Sequence, residues 1–431
     1  MRYLAEKQKT FFSVSGRLAV ESVVENQRLK RQNSAVWQVL RDALRFKVTP
    51  SWTVLLAIIG CGIVACAIIA PVAYAQVRPM ARNSGPQPES ENSPKCADAS
   101  ANVEMPNAPH GLFVILFPGA KVNARANVLL NNPTVCGANF YVVWNEIDHG
   151  PQAKSRYDWS SIEEQIAPWV KAGKKVNLIV WATTYSKNAT ATPEWVFAKV
   201  PSVNCPAFGH VPVFWNPAFM SSYQSFMAAV VEHFGNNPAV GYIRFGLGAG
   251  GEIFPACMYF MKEQGFSDDT WRKYIFDMLD YQKSLNSPKQ LAVGLNAYGE
   301  PPKLDFSAAV AERAVKDGIA IGNQGLSAQD ARDDAAGKPC MADWCRIFRQ
   351  ARGKVPLILQ TLGPTRPDHS GDVGSLVDML PFALGQRVQI FEIYVQDWLV
   401  AYDPASPGYS QYHAEYQKVL EDAAKSVGGN P

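Results

Sequence analysis

From residue 110 onward the chain repeats one pattern eight times: a short apolar run of strand length, then a longer connecting stretch that often carries an amphipathic helical pattern. The runs occupy 111–118, 139–144, 175–181, 240–246, 290–296, 318–324, 355–362 and 388–396. Helical patterns lie at 160–172, 217–234, 270–285, 306–316, 375–384 and 411–426. Strands that alternate with helices make parallel sheets, because a long crossover must bring each new strand back in the same direction. Eight such units that end on a helix predict an α/β fold, a (β/α)8 TIM barrel, over 110–431. A doubly wound open sheet would call for a Gly-rich phosphate turn after an early strand, and the sequence has none there.

Ahead of the barrel the composition changes three times. Residues 1–50 carry ten Lys or Arg against four acids. Residues 51–75 then include an uncharged apolar run from Val54 to Ala75, long enough to cross a hydrocarbon core of ~30 Å as one helix. From 76 to 109 the chain is rich in Pro, Ser, Asn and Glu, a composition that buries too little apolar surface to order itself. The expectation is a basic cytoplasmic head, a single transmembrane signal anchor, a linker and an extracytoplasmic barrel, by the excess of positive charge before the span. Ala73-Tyr74-Ala75 also has the small-x-small form of a cleavage site, so cleavage after Ala75 would yield a secreted form. Outside the span six cysteines remain, an even number suited to disulfides in an oxidising compartment. Cys340 and Cys345 are close enough for a local loop. The formal net charge of +3 gives no support to a nucleic-acid partner. Neither the cysteines nor the histidines have metal-ligand spacing, so no metal and no cofactor is expected.

Side chains alternate across a strand, so the apolar outer face of a barrel fixes which residues point inward. With Ile243 and Phe245 outward, Tyr242 and Arg244 turn in; Val176, Leu178 and Val180 outward put Asn177 and Trp181 inside. The same alternation turns Asn296, Gln324, Gln360, Glu392 and Tyr394 toward the axis. An unpaired buried polar group costs about 1–3 kcal/mol, so a polar ring of this kind points to a ligand-binding mouth.

The fourth run leads into Gly246-Leu247-Gly248-Ala249-Gly250-Gly251-Glu252, which sets one acid in a glycine-rich turn at the C-terminal end of a barrel strand. No Lys-Ser/Thr pair follows, which excludes a P-loop. This stretch resembles the acid-bearing loop of barrel glycoside hydrolases of the beta-galactosidase and beta-amylase type. Trp144-Asn145-Glu146-Ile147 followed by Arg156-Tyr157-Asp158-Trp159-Ser160 is similar to the segment after their second strand. Gln396-Asp397-Trp398, after the eighth run, resembles the place of their aromatic sugar platform. The resemblance implies Glu252 as general acid. It breaks at the seventh strand, where the second glutamate of the large two-glutamate clan is replaced by Leu359-Gln360-Thr361-Leu362. Inward-facing Glu392 is the expected substitute, with Glu300 and Glu146 as alternatives and Asp397 behind them.

Glycoside hydrolysis calls for one protonated and one ionised carboxyl. Aromatic rings at strand ends (Trp144, Trp181, Tyr185, Trp195, Trp215, Tyr298 and Trp398) suit the C–H faces of sugars, and the amides of Asn177, Asn296, Gln324 and Gln360 suit hydroxyls, beside Arg244 and Tyr394. The expected partner is an oligo- or polysaccharide, with the membrane engaged through the N-terminal helix. A tethered barrel that binds polysaccharide without cleaving it is the competing expectation.

Overall fold

The computed structural model describes residues 109–299 and 301–427, all within the compact unit Asn92–Pro431. The head, the apolar run and nearly all of the linker lie outside the described residues, as do Cys96 and Glu300. Among the described residues no helix is long and apolar enough to cross a membrane.

Eight parallel strands close into a barrel: β1 Gly111–Ile115, β2 Gly137–Val143, β3 Lys175–Trp181, β4 Val240–Phe245, β5 Gln290–Leu295, β6 Ala320–Leu326, β7 Leu357–Thr361 and β8 Ile390–Tyr394. Each pairs with its neighbours in sequence. The first strand completes the ring by pairing with the last, Gly111 opposite Ile390 and Ile115 opposite Tyr394. Close approach makes one glycine obligatory at the base of β2: a Cβ on Gly137 would stand 1.9 Å from the Lys175 carbonyl oxygen.

All six helical patterns form, as Ser160–Lys171, Pro217–Phe234, Asp268–Ser284, Leu304–Lys316, Leu376–Gly385 and Tyr409–Val427. Local chemistry sets their starts. Asn216 accepts a hydrogen bond from the Ala218 amide ahead of Pro217, and Ser267 caps the next helix through the Thr270 amide. The strand residues expected to face outward, among them Val176, Leu178, Val180, Ile243, Phe245, Leu291, Val293 and Leu295, join these helices in one core.

Three features depart from the pattern. After β1 comes a 3-10 segment, Lys121–Leu129, in place of a full α-helix. The β3 loop carries an antiparallel hairpin, Ser202–Cys205 with Gly209–Pro212. The eighth apolar run is longer than its strand: the chain turns helical at Val395–Tyr402, so Gln396, Asp397 and Trp398 belong to a helix that buries Leu399, Val400 and Ala401.

Inside, the barrel is layered along its axis. Phe113, Tyr242, Ala292, Ala320, Ile358 and Ile390 form an apolar floor. Two residues further along their strands come Arg244, Gln360 and Glu392, and beside them Asn139 and Asn177, all buried. Above these Ile115, Tyr141, Val143, Ile179 and Trp181 make a second apolar layer, against which Phe117 and Tyr394 pack.

Cys205 is bonded to Cys257 and Cys340 to Cys345. Cys136 is also disulfide-bonded. The first bridge joins the hairpin of the β3 loop to the loop after β4. Replacing Cys205 and Cys257 together by Ser should destabilise the protein by about 2–5 kcal/mol and open new protease cuts in these two loops. Thermal unfolding and limited proteolysis measure this, and unchanged cleavage would show that the loops hold without the bridge.

Candidate active site

The glycine-rich turn after β4 leaves the sheet and returns to it. The Gly246 amide still bonds the Val180 carbonyl of β3 at 2.9 Å, and Ile253 comes back to donate to the Gly294 carbonyl of β5 at 3.0 Å. The turn is closed by its own backbone, since the amides of Leu247 and Gly248 donate to the Glu252 carbonyl at 3.2 and 2.8 Å. Glu252 is thereby set beside Gly294 on β5, at the C-terminal end of the barrel.

The glycines serve this packing. A Cβ on Gly246 would meet the Gly250 carbonyl oxygen at 1.9 Å, and one on Gly250, whose φ is +56°, would meet the Tyr185 ring at 2.1 Å. Tyr185 fills the room so made, and its hydroxyl donates to Glu252 Oε2 at 2.5 Å. Asn296 Nδ2, from the end of β5, donates to the same oxygen at 2.6 Å.

Glu252 is only 5% exposed. Burial raises its carboxyl above the ordinary range, against the opposing pull of the Tyr185 and Asn296 hydrogen bonds and the Arg244 charge. Burial, with Glu252 nearby, lifts the Tyr185 hydroxyl well above its usual value. It holds Tyr141 and Tyr394 high as well. The phenols therefore stay protonated beside the carboxyl.

One layer down, Arg244 lies wholly inside the barrel. Its Nη1 donates to Glu392 Oε2 at 2.9 Å and its Nη2 to Gln360 Oε1 at 3.1 Å, while the Tyr242 hydroxyl donates to Glu392 Oε1. Dehydration raises the Glu392 carboxyl and lowers the Arg244 guanidinium; their direct contact works against both shifts.

The expected site residues fall into four groups. Asn296 contacts Glu252, and Gln324 Nε2 lies close to Gly251 and Gly294, where added Cβ atoms would meet it at 2.9 and 3.2 Å. Trp181 and Tyr394 belong to the upper apolar layer, with Trp181 edge-on to Tyr141 at 4.6 Å. Arg244, Gln360 and Glu392 bind one another beneath, and Asn177, fully buried, donates to Asn139 Oδ1 at 2.9 Å. Trp144 and Trp398 correct the expectation. Both are completely buried outside the barrel: Trp144 stacks on Phe226 and donates to Asp148, and Trp398 packs near Tyr402, so neither offers a face to a sugar.

The expectation for Glu392 needs a similar correction. It faces the axis, but both oxygens are engaged and none of its surface is exposed. Asp397 is also buried, accepting from the amide and hydroxyl of Thr365. Glu146 is exposed on the short turn Trp144–Ile147 after β2, and Glu300 lies outside the described residues. Tyr185 and Tyr141 have larger parts than the sequence assigned them. The alternation that turns Asn139 inward also turns Tyr141 inward, whereas the Tyr185 contact depends on how the β3 loop folds. Three buried donors, Arg244 Nε, Gln324 Nε2 and Trp181 Nε1, have no hydrogen-bond partner among the described residues. Of the described residues, Asp334, Cys340 and Cys345 lie close enough together to suggest metal ligands, but the two cysteines are bonded to each other and supply no thiolate.

No protein-family model matches the chain, and no curated protein matches it. Among solved structures it is similar to the beta-galactosidase of the psychrophilic Marinomonas ef1, at 10% identity and a TM-score of 0.48, over 74% of this chain and 61% of that one. It is similar to the beta-galactosidase of Bacillus circulans sp. alkalophilus, at 13% identity and a TM-score of 0.45, over 75% and 56%. The catalytic domain of beta-amylase from Paenibacillus polymyxa gives 12% identity and a TM-score of 0.39, over 74% and 95%. The chain thus spans less than two thirds of the length of these two beta-galactosidases.

Proposed function

We propose that the C-terminal mouth of the barrel binds an oligo- or polysaccharide and hydrolyses a glycosidic bond, with Glu252 as proton donor. The observation that carries this reading is the state of Glu252. Its Oε2 accepts two hydrogen bonds, which fill the lone-pair positions of that oxygen, so in the neutral acid the proton sits on Oε1. Burial favours that neutral form over the ionised one, and the neutral form is the one a general acid must hold. Transfer of the Oε1 proton to the glycosidic oxygen lets the C–O bond break with an alcohol as leaving group, and water supplies the new oxygen at the anomeric carbon while giving up one proton, to the second carboxylate or back to Glu252. Gln324 Nε2, beside the Glu252 turn and without a hydrogen-bond partner among the described residues, is a donor that suits a saccharide oxygen.

A second reading is a barrel that holds polysaccharide without cleaving it. The enclosure of Glu392 favours it, since a carboxylate held by Arg244 and Tyr242 has no open path to a sugar. The two-carboxylate reading then draws its second group from Glu392 after rearrangement, or from Glu300 or Glu146. We also propose that residues 51–75 anchor the chain in a membrane with the barrel on the extracytoplasmic side, or precede a secreted form if cleaved after Ala75. The disulfides of the barrel support an oxidising compartment.

Under the hydrolase reading, Glu252→Gln should lose roughly 10²–10⁴-fold in kcat/KM on natural glycosides while largely sparing activated aryl glycosides, whose leaving groups need no proton. Equal loss on both, measured across a panel of glycans and p-nitrophenyl glycosides, would remove Glu252 from the acid role. Because the acid must be protonated to act, and burial raises its pKa, the wild-type alkaline limb should fall above the ordinary carboxylate range. A limb at ordinary carboxylate pH would contradict the burial argument.

Glu392→Gln should destabilise the protein by about 3–5 kcal/mol, because it leaves a buried guanidinium unpaired. Denaturant unfolding checks this. A variant of wild-type stability that has lost all hydrolysis would instead identify Glu392 as the second carboxylate.

A further inference from the structure

Among the described residues the large hydrophobic side chains that stay exposed are Val128, Val170, Tyr259 and Phe260. The last two are neighbours, 62% and 52% exposed, in the loop that carries Glu252 from β4 to the helix Asp268–Ser284. Their presentation is rigid. The amides of Phe260 and Met261 both donate to the Cys257 carbonyl, at 2.8 and 3.1 Å, in a tight turn that begins at Cys257 with φ +61°. Met258 and Met261 sink into the core on either side, so the two rings between them are driven outward. The Cys205–Cys257 bridge fastens the near end of the turn to the hairpin, and Trp215 Nε1 fastens the far end by donating to the Gln264 carbonyl at 3.1 Å.

The same stapled wall carries rings back toward Glu252. Tyr185, bonded to that carboxyl, lies 6.0 Å from Phe208 of the hairpin turn, and Phe208 lies 6.3 Å from Phe254 of the Glu252 loop. Two large rings kept in water, held by their own turn and carried on the same loop as Glu252 and Phe254, have the form of a preorganised binding surface. We infer that Tyr259 and Phe260 form an outlying saccharide subsite, on which the pyranose faces of a polymer stack outside the mouth that holds Glu252. The inference rests on the carbohydrate reading of the mouth and deepens it: the substrate is a polysaccharide chain, longer than the mouth alone can hold.

The test uses the full-length protein and the double variant Tyr259→Ser with Phe260→Ser. Both side chains are exposed, so thermal unfolding should be unchanged. The probes are soluble glucan, xylan, galactan and galactomannan, their disaccharides, and p-nitrophenyl glycosides. Binding of a polymer should weaken about tenfold or more in the variant, while turnover of p-nitrophenyl glycosides and disaccharides stays at the wild-type level. If the wild type turns over short glycosides and the variant handles the polymer equally well, the subsite is wrong and the role of Glu252 stands. If the wild type neither binds nor cleaves any probe, the carbohydrate reading falls and the subsite with it. A variant that keeps polymer binding but loses adsorption to phosphatidylcholine–phosphatidylglycerol vesicles, or loses self-association in sedimentation, would overturn the subsite in favour of a membrane or a second copy.

Discussion

A guanidinium with no contact to water sits on the axis of this barrel, and most of what surrounds it answers to that fact. Taking such an ion out of water is tolerable only with a counter-charge and good hydrogen bonds, and Arg244 has Glu392 and Gln360 from the two strands next to each other across the interior. Tyr242, one inward step below, bonds the same carboxylate. The floor under this layer is apolar and closed, so the polar layer acts as a base plate for the mouth. Its charge also reaches Glu252, where it opposes the effect of burial on the carboxyl. The two carboxyls are thus divided in role: one is bound into the plate, and the other stands above it, held by a phenol and an amide.

That division accounts for what could and could not be read from residues alone. The eight strands were legible because each is flanked by helices whose packing demands an unbroken apolar outer face, and a period of two then fixes the inner face. Arg244, Gln360 and Glu392 could be placed on the axis by that rule, and they are there. Their height along the axis could not. A carboxylate at the mouth and one a layer lower have the same alternation, and only the three-dimensional meeting with Arg244 and Tyr242 separates them.

The two tryptophans fail for a different reason. Trp144 and Trp398 stand just past strand ends, where a loop would expose them, but in both places the chain turns at once into a short helix that carries the ring outward into the core. The hairpin in the β3 loop and the seating of Tyr185 escape local reasoning because they depend on the neighbouring β4 loop. The glycines of that second loop were legible as a sharp turn, and the structure adds the ring for which they make room.

The pairing of β1 with β8 carries a consequence for how the protein comes into being. Synthesis and any passage across a membrane deliver the chain from its N-terminus, and Gly111 must wait for Ile390 before the ring can close. Until then the nascent sheet has two open edges, with backbone groups ready to pair with the wrong partner, and the polar plate lacks its Glu392. Contacts so distant in sequence form slowly. A chain of this design spends its early life as an open, sticky sheet with an unpaired arginine at its centre, and its greatest need for a chaperone falls before the last strand arrives.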